Sequence, residues 1–493
     1  MKVRHSPTPR SEKRTDKDLA NQWKTIDWEK TESIVNRLQT RIAKATQEGK
    51  WNLVKRLRYL VTHSFSAKLL AVRIVTQNRG KRTPGVDGVL WTSAADKMRA
   101  ALSLTDRQYR AQPLRRIYIP KPGKTTKRPI SIPTMHDRAM QALYALALQP
   151  IAETTADTRS FGFRLFRSAQ DASEYAFTCL AQKNSAQWIL EGDIRGCFDN
   201  IAHDWLMGHI PMDRSVLAQF LKAGYIFEER LFPTDQGTPQ GGIISPLLAN
   251  MTLDGIEGRL AARFPRMKVH FIRYADDFLV TASTKEIAEE ARDSIQEFLA
   301  ERGLELSREK TVITHIDEGF DFLGYNFRKY NGKLLIKPSR KSIETVTEKI
   351  GRTMKKAQAW TQDALIKTLN PIIRGWTNYH RHNVATETFK KLDDHIWRVT
   401  WRWGRRRHPD KGRTWIARRY WKPEGTRKWV FRTEENKLRE FSDTKIRRHS
   451  CPKLDANPYL DRKYFLERRD RMRQPTPRNE TRTTFLTLPP LTG

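Results

Sequence analysis

Asp276 and Asp277 stand side by side in Tyr274-Ala275-Asp276-Asp277, between the apolar runs His270-Phe271-Ile272-Arg273 and Phe278-Leu279-Val280. Adjacent carboxylates repel each other, and each resists losing its water. Divalent cations would offset both penalties and supply an engine for phosphoryl transfer. A third carboxylate completes the set, because Ile189-Leu190-Glu191-Gly192-Asp193 reads as a buried strand that ends on Asp193. From an adjacent strand, Asp193 would join Asp276 and Asp277 around two magnesium ions roughly 3.5–4 Å apart, with manganese as a substitute. Backbone carbonyls such as that of Ile194 would complete the oxygen shells. One aspartate at a strand end is as often an ordinary cap; three in this pattern point to nucleotidyl transfer, and so to a polynucleotide polymerase.

Four further groups would serve that chemistry. Phe198 lies five residues after Asp193, where its ring would pack under a nucleotide sugar and leave no room for a 2′-hydroxyl. The stretch from Gln236 to Asn250 contains Gly237, Gly241 and Gly242, which let backbone approach a flat ligand, and Gln240, which can hydrogen-bond a sugar or base. Lys121 and Arg128, on a basic hairpin, would clasp a triphosphate. Lys310 would sit near a leaving pyrophosphate, and the turn Phe322-Leu323-Gly324-Tyr325 would brace a primer end. Each also has an ordinary reading: the ring as core, the hairpin as a solvated face and Lys310 as a surface lysine.

The elements that must hold these groups follow from periodicity. From Trp23 to about Val75 apolar residues recur at helical steps (Ile34, Leu38, Ile42, Ala45, then Leu53, Leu57, Leu60). Leu114–Pro120 and Arg128–Pro133 alternate as two strands around the turn Lys121-Pro122-Gly123-Lys124, and a helix follows from about His136 to Ile151. Strands and helices then alternate to about residue 327, which predicts an α+β core. Past residue 335 basic helices rich in tryptophan dominate.

The 493 residues carry a formal net charge of +36, and residues 331–493 hold 40 basic against 17 acidic side chains. A polyanionic partner is the simplest cause, with affinity that falls steeply with salt. Cys179, Cys197 and Cys451 show no C-x-x-C spacing, which argues against a disulfide framework or a thiolate zinc site and for an intracellular protein. No run of about 20 apolar residues exists to span a membrane.

The order of these motifs resembles the reverse transcriptase–maturases encoded by group II introns, over nearly the whole chain. Thr83-Pro84-Gly85-Val86-Asp87-Gly88 looks like that family's N-terminal extension motif. Arg128-Pro129, Ile132-Pro133 and Asp137-Arg138 look like its fingers, and Phe161-Gly162-Phe163-Arg164 with Ser168-Ala169-Gln170-Asp171-Ala172 like its template-facing segment. Ile372-Ile373-Arg374-Gly375-Trp376-Thr377-Asn378-Tyr379-His380 resembles the central helix of its thumb. Two positions depart from the pattern: Phe166, where relatives often carry a smaller or turn-forming residue, and Ser131, where Gly is common.

The resemblance implies a right-hand α+β polymerase: a tail at 1–20, an N-terminal extension at 21–100, fingers and palm at 101–335, a thumb at 336–435 and a DNA-binding region with a tail at 436–493. It implies that Asp193, Asp276 and Asp277 hold the metals, that Phe198 gates the sugar, and that Lys121, Arg128 and Gln240 touch the nucleotide. The partners implied are intron RNA, target DNA, an RNA template with a DNA primer, and deoxynucleoside triphosphates, in a bacterial cytoplasm near the nucleoid. Arg374, Arg405, Arg406, Arg407, Lys445, Arg447 and Arg448 are the expected nucleic-acid contacts. The paired cysteines of the family's H-N-H endonuclease are missing, so no bottom-strand cutting is expected. The alternatives are a reverse transcriptase adopted by its host or by a defence system, and a splicing chaperone with a silent polymerase; an intact carboxylate triad argues against the second.

Overall fold

The computed structural model describes residues 15–120 and 127–473, so Lys121 and its turn lie outside the described residues. These residues divide into two compact units. One runs through Ser339 and includes Lys453–Asp461; the other comprises Arg340–Pro452 and the residues from Arg462 on.

The first unit opens with helices. α1 (Asp16–Lys24) begins within the stretch expected to be tail, because Thr15 and Asp18 close a capping box on it. α2 (Trp28–Gln47), α3 (Trp51–His63), α4 (Phe65–Gln77) and α5 (Ala94–Ser103) follow. Their buried stripes differ slightly from the sequence reading: Val54, Leu57 and Val61 face the core while Leu60 stays exposed. β1 (Leu114–Pro120) and β2 (Lys127–Ile132) pair antiparallel, then α6 (Met135–Thr155) and α7 (Ala169–Leu180) cover the core. Buried Arg138 donates to the carbonyls of Pro133, Gly80 and Thr83, and Arg115 to that of Pro84, which pins the Thr83-Pro84-Gly85 loop. A side chain at Gly85 would run into the Thr134 backbone at 2.6 Å.

β3 (Trp188–Asp193) leads into the short helices α8 (Cys197–Asn200), α9 (His203–His209) and α10 (Arg214–Leu221). β4 (Tyr225–Phe227) and β5 (Arg230–Phe232) extend the hairpin into a sheet of order β2-β1-β4-β5. After α11 (Ser245–Leu253, with Pro246 in its first turn) and α12 (Ile256–Arg263) come β6 (His270–Tyr274), β7 (Asp277–Ala282), α13 (Lys285–Ala300) and β8 (Val312–His315). The central sheet has order β6-β7-β3-β8, antiparallel throughout. Ile189 and Leu190 of β3 and Leu279 and Val280 of β7 are fully buried, and α13 packs on the sheet with Ala288, Ala291 and Ile295. Gly192 stands opposite Phe278, whose ring fills the space a Cβ would need at 2.0 Å. β9 (Phe320–Phe322), β10 (Tyr325–Tyr330) and β11 (Lys333–Pro338) close the unit.

The second unit has its own core. α14 (Arg340–Lys356), α15 (Gln362–His380), α16 (Thr386–Arg407) and α17 (Arg413–Tyr420) pack through Ile350, Leu365, Leu369, Ile373, Phe389 and Ile396. A hairpin absent from the sequence reading, β12 (Trp421–Glu424) and β13 (Arg427–Phe431), adds Trp421 and Phe431 to that core, and α18 (Arg462–Arg473) ends the described chain. Among the described residues no helix is long and apolar enough to cross a membrane.

One carboxyl in the central sheet carries a pH signature. Burial, then the charge of Asp321, pushes Glu191 up to about 7. The fold therefore binds a proton that the unfolded chain releases near 4.5, so stability falls as pH rises between those values. Glu191→Gln is expected to unfold at higher urea than the parent at pH 8, with the gap closing by pH 5. An equal gap at both values would contradict the assignment.

Candidate active site

β6 and β7 are joined by a two-residue turn, Ala275-Asp276, across which Tyr274 pairs with Asp277. Ala275 has φ +60, a left-handed conformation that a residue with a side chain adopts at some cost. In register, Asp277 lies directly opposite Asp193 on β3. Side chains directly opposite on antiparallel strands have Cβ atoms about 4.5–5.5 Å apart. The sheet thus brings two carboxylates from distant stretches together, with the third on the turn beside them. Asp276 is raised from the usual carboxylate range by burial and by the charge of Asp193, while Lys310 and Arg128 pull it back. Asp193, Asp276, Arg128 and Lys310 therefore share one electrostatic neighbourhood.

Lys310 places its ammonium 2.6 Å from Asp193 Oδ2. The Ser307 amide donates to the Asp193 carbonyl and the Arg195 amide donates to the Glu305 carbonyl, so residues 305–307 run beside the strand end that carries Asp193 and Ile194. Among the described residues no three ligating side chains converge closely enough to hold a metal as they stand. The donor set itself suits a hard divalent cation: carboxylate oxygens on facing strands, beside a Cys197 thiol that burial pushes up to about 12 and so keeps protonated.

The remaining predicted groups assemble around this centre to different degrees. The Gly237 and Thr238 amides donate to the carbonyls of Ile201 and Phe198, and Gly237 has no room for a Cβ against the Asp199 backbone at 2.4 Å. Gln240 donates its side-chain amide to Asp199, 3.0 Å, and its carbonyl accepts from Ser131 of β2. The glycine loop thereby ties Phe198 and Gln240 to the strand that bears Arg128. Ser131, the departure from the family pattern, is buried and makes that bond through backbone. Exposed Phe163 meets Phe198 edge-on at 6.2 Å. Phe166 has φ +56, so the turn conformation is kept without a turn-forming residue. In the Phe322–Tyr325 turn, Phe322 and Tyr325 are core side chains, and Leu323 and Gly324 supply two left-handed residues; what it offers a ligand is backbone.

In the second unit Arg374, Arg405, Arg406, Lys445 and Arg448 are exposed. Arg407 is half-buried: it donates to the Gln358 and Trp360 carbonyls at 2.8 and 2.9 Å and lies over the Trp403 ring. Arg447 donates to the Arg471 carbonyl. Asp455-Ala456-Asn457-Pro458, expected in a DNA-binding region, packs in the first unit, where Asn457 donates to Thr154 and Arg167 to the Ala456 carbonyl.

Sequence reasoning missed the support under the turn. Arg273 is fully buried, ion-paired with Asp254, and donates to Asn250 Oδ1 at 3.0 Å. Asn250 in turn donates to the Gly162 carbonyl, 2.8 Å. Gly162 presses on the turn so closely that a Cβ would lie 2.3 Å from the Ala275 nitrogen. Burial pushes Asp254 up to about 7 against the pull of Arg273. The available signal was an arginine inside an apolar strand, which demands a partner if that strand is central.

Residues 119–327 match the family described as reverse transcriptase (RNA-dependent DNA polymerase), residues 23–104 the N-terminal domain of reverse transcriptase, and residues 343–421 the group II intron maturase-specific domain. The chain is 29% identical to the group II intron-encoded protein LtrA of Lactococcus lactis subsp. cremoris over 439 residues, 69% of this chain and 72% of that protein. It is 31% identical to protein YkfC of Escherichia coli (strain K12) over 338 residues, 59% of this chain and 88% of that protein. A solved telomerase from Candida albicans aligns with a TM-score of 0.36 at 12% identity, covering 62% of this chain and 60% of its own, a likeness too loose to place any residue.

Asp254→Ala would leave Arg273 buried without its partner. It is expected to lower the unfolding free energy by about 3–5 kcal/mol, and Asp254→Leu combined with Arg273→Met to recover most of that loss. Urea unfolding of the two variants checks this; a double variant as weak as the single one would show that packing, not charge, holds the turn.

Proposed function

The chain belongs to the reverse transcriptases encoded by group II introns, RNA-directed DNA polymerases with a maturase domain, and from that premise we propose that Asp193, Asp276 and Asp277 carry its chemistry. The observation that supports this reading most is the pairing of Asp193 with Asp277 beside the strained turn that holds Asp276. These carboxylates would hold two magnesium ions, or manganese. Such ions, when bound, lower the pKa of a primer 3′-hydroxyl and offset charge on the phosphate being transferred.

The other residues bind and orient. Arg128, within electrostatic reach of Asp276, clasps the triphosphate; Lys121 would share that task. Phe198, braced by the Gly237-Thr238 backbone, packs under the sugar and rejects a 2′-hydroxyl. Gln240, held by Asp199, contacts the nucleotide. Lys310 neutralises Asp193 before substrate arrives and then turns to the leaving pyrophosphate. The 322–325 backbone turn steadies the primer.

The basic second unit binds the intron RNA and assists its splicing. The polymerase then copies the inserted intron during retrohoming, in a bacterial cytoplasm at the nucleoid, with target DNA met by the region from about residue 436.

Purified protein with magnesium is expected to extend a DNA primer on an RNA template. Asp276→Ala and Asp277→Ala should each abolish extension while RNA affinity, read by filter binding, stays within twofold; joint loss of both would make the carboxylates structural. Phe198→Ala should admit ribonucleotides at least tenfold more readily relative to deoxynucleotides, and unchanged sugar selectivity would remove Phe198 from the gate.

A further inference from the structure

Phe163 stands between the carboxylate turn and the Phe198 ring, on a segment clamped at both ends. The Phe161 amide donates to the Arg273 carbonyl at 2.8 Å, and the Gly162 carbonyl accepts from Asn250, so residues 161 and 162 are fastened beside the end of β6. On the other side the Arg164 side chain is buried. It is ion-paired with Glu153 at 2.8 Å and donates to the carbonyls of Asp157 and Ser160. Residue 163 hangs between these anchors with its ring outward. At 55% it is the most exposed phenylalanine among the described residues.

Stability does not account for a phenylalanine there. Its φ is +58, a left-handed backbone that glycine adopts freely and a bulky side chain only at a cost. Among the described residues the other left-handed positions outside glycine are mostly polar turn residues, such as Glu229, Arg266 and Asn331. A ring left half in water returns little burial against that cost. Strain of this kind collects at functional sites where the surroundings hold it in place, and the two anchors do so here.

What the ring touches is Phe198. The centroids lie 6.2 Å apart with the planes at 82°, the edge-to-face arrangement that aromatic pairs prefer. Phe198 is itself half-buried: part of it packs on the core, and its carbonyl accepts from the Thr238 amide. Those contacts fix its backbone and one flank. A phenylalanine side chain can still turn about its own bonds, so a ring that excludes a hydroxyl must be kept from rotating away. A second ring against its flank removes that freedom.

We infer that Phe163 is a positioning residue for sugar selection: it holds the Phe198 ring in place and so sharpens the rejection of a ribonucleoside triphosphate. This rests on Phe198 as the gate. Single-nucleotide extension of a DNA primer on an RNA template, with the full chain and magnesium, gives kcat/KM for a ribo- and a deoxyribonucleoside triphosphate of the same base. Phe163→Gly removes the ring and relieves the left-handed strain. It is expected to raise the ribo-to-deoxy ratio about threefold to tenfold, the worth of one edge-to-face pair, with a thermal unfolding temperature no lower than the parent's. Phe163→Tyr keeps the ring and should keep the parent ratio. In a Phe198→Ala background, Phe163→Gly should change the ratio by less than about twofold, because residues that act through one another are not additive. An unchanged ratio in Phe163→Gly overturns the inference, as does equal loss of both nucleotides, which would give the ring to the base pair. A lowered unfolding temperature would make the ring ordinary packing, and a full effect in the Phe198→Ala background would make Phe163 act alone; either overturns it too. Phe198→Ala by itself reports on the gate. If it leaves the ratio unchanged, the gate falls and takes this inference with it; if it raises the ratio and Phe163→Gly does not, only the role of Phe163 falls.

Discussion

A guanidinium with no access to water sits two residues before the Ala275-Asp276 turn, which sets Asp276 next to Asp277. Burying Arg273 is expensive unless its charge is met, and Asp254 and Asn250 meet it. That requirement fixes the ends of α11 and β6 relative to each other. Asn250 passes the constraint to Gly162, whose missing side chain lets backbone press on Ala275. The left-handed residue in the turn is thus held by contacts on several sides, which is the condition under which such strain persists.

The same economy of space governs the strand opposite. Gly192 leaves room for the Phe278 ring, and the absence of a side chain lets β3 and β7 pair up to Asp193 and Asp277. Lys310 meets the charge of Asp193 directly, and burial raises Asp276. The site is therefore assembled with part of its negative charge already answered by protein groups. A cation that bound there would compete with the Lys310 ammonium rather than with water alone.

What could be read in the sequence was local. Apolar runs gave the two strands of the turn, Pro246 marked the start of α11, and alternation marked the basic hairpin. The fold class followed from these, and the family from the order of motifs. What could not be read was the identity of partners far apart in the chain. Nothing near Arg273 names Asp254, nothing near Gly162 names Ala275, and Lys310 lies 117 residues from the aspartate it meets. The β12–β13 hairpin escaped because tryptophans among arginines obscure alternation, and Leu60 because a helix stripe one residue over buries Val61 instead.

Lys453–Asp461 belongs to the first unit although the chain on either side of it belongs to the second. Thr40 donates to the Tyr459 carbonyl, Asn457 to Thr154, and Arg167 to the carbonyls of Leu454 and Ala456. No single break in the polypeptide can therefore separate the two units with their packing whole. A stop codon placed after Pro452 would strip the first unit of nine residues and uncover Arg167 and Thr154. Anyone grafting the second unit onto another polymerase would have to cut the gene twice more, on both sides of that short return.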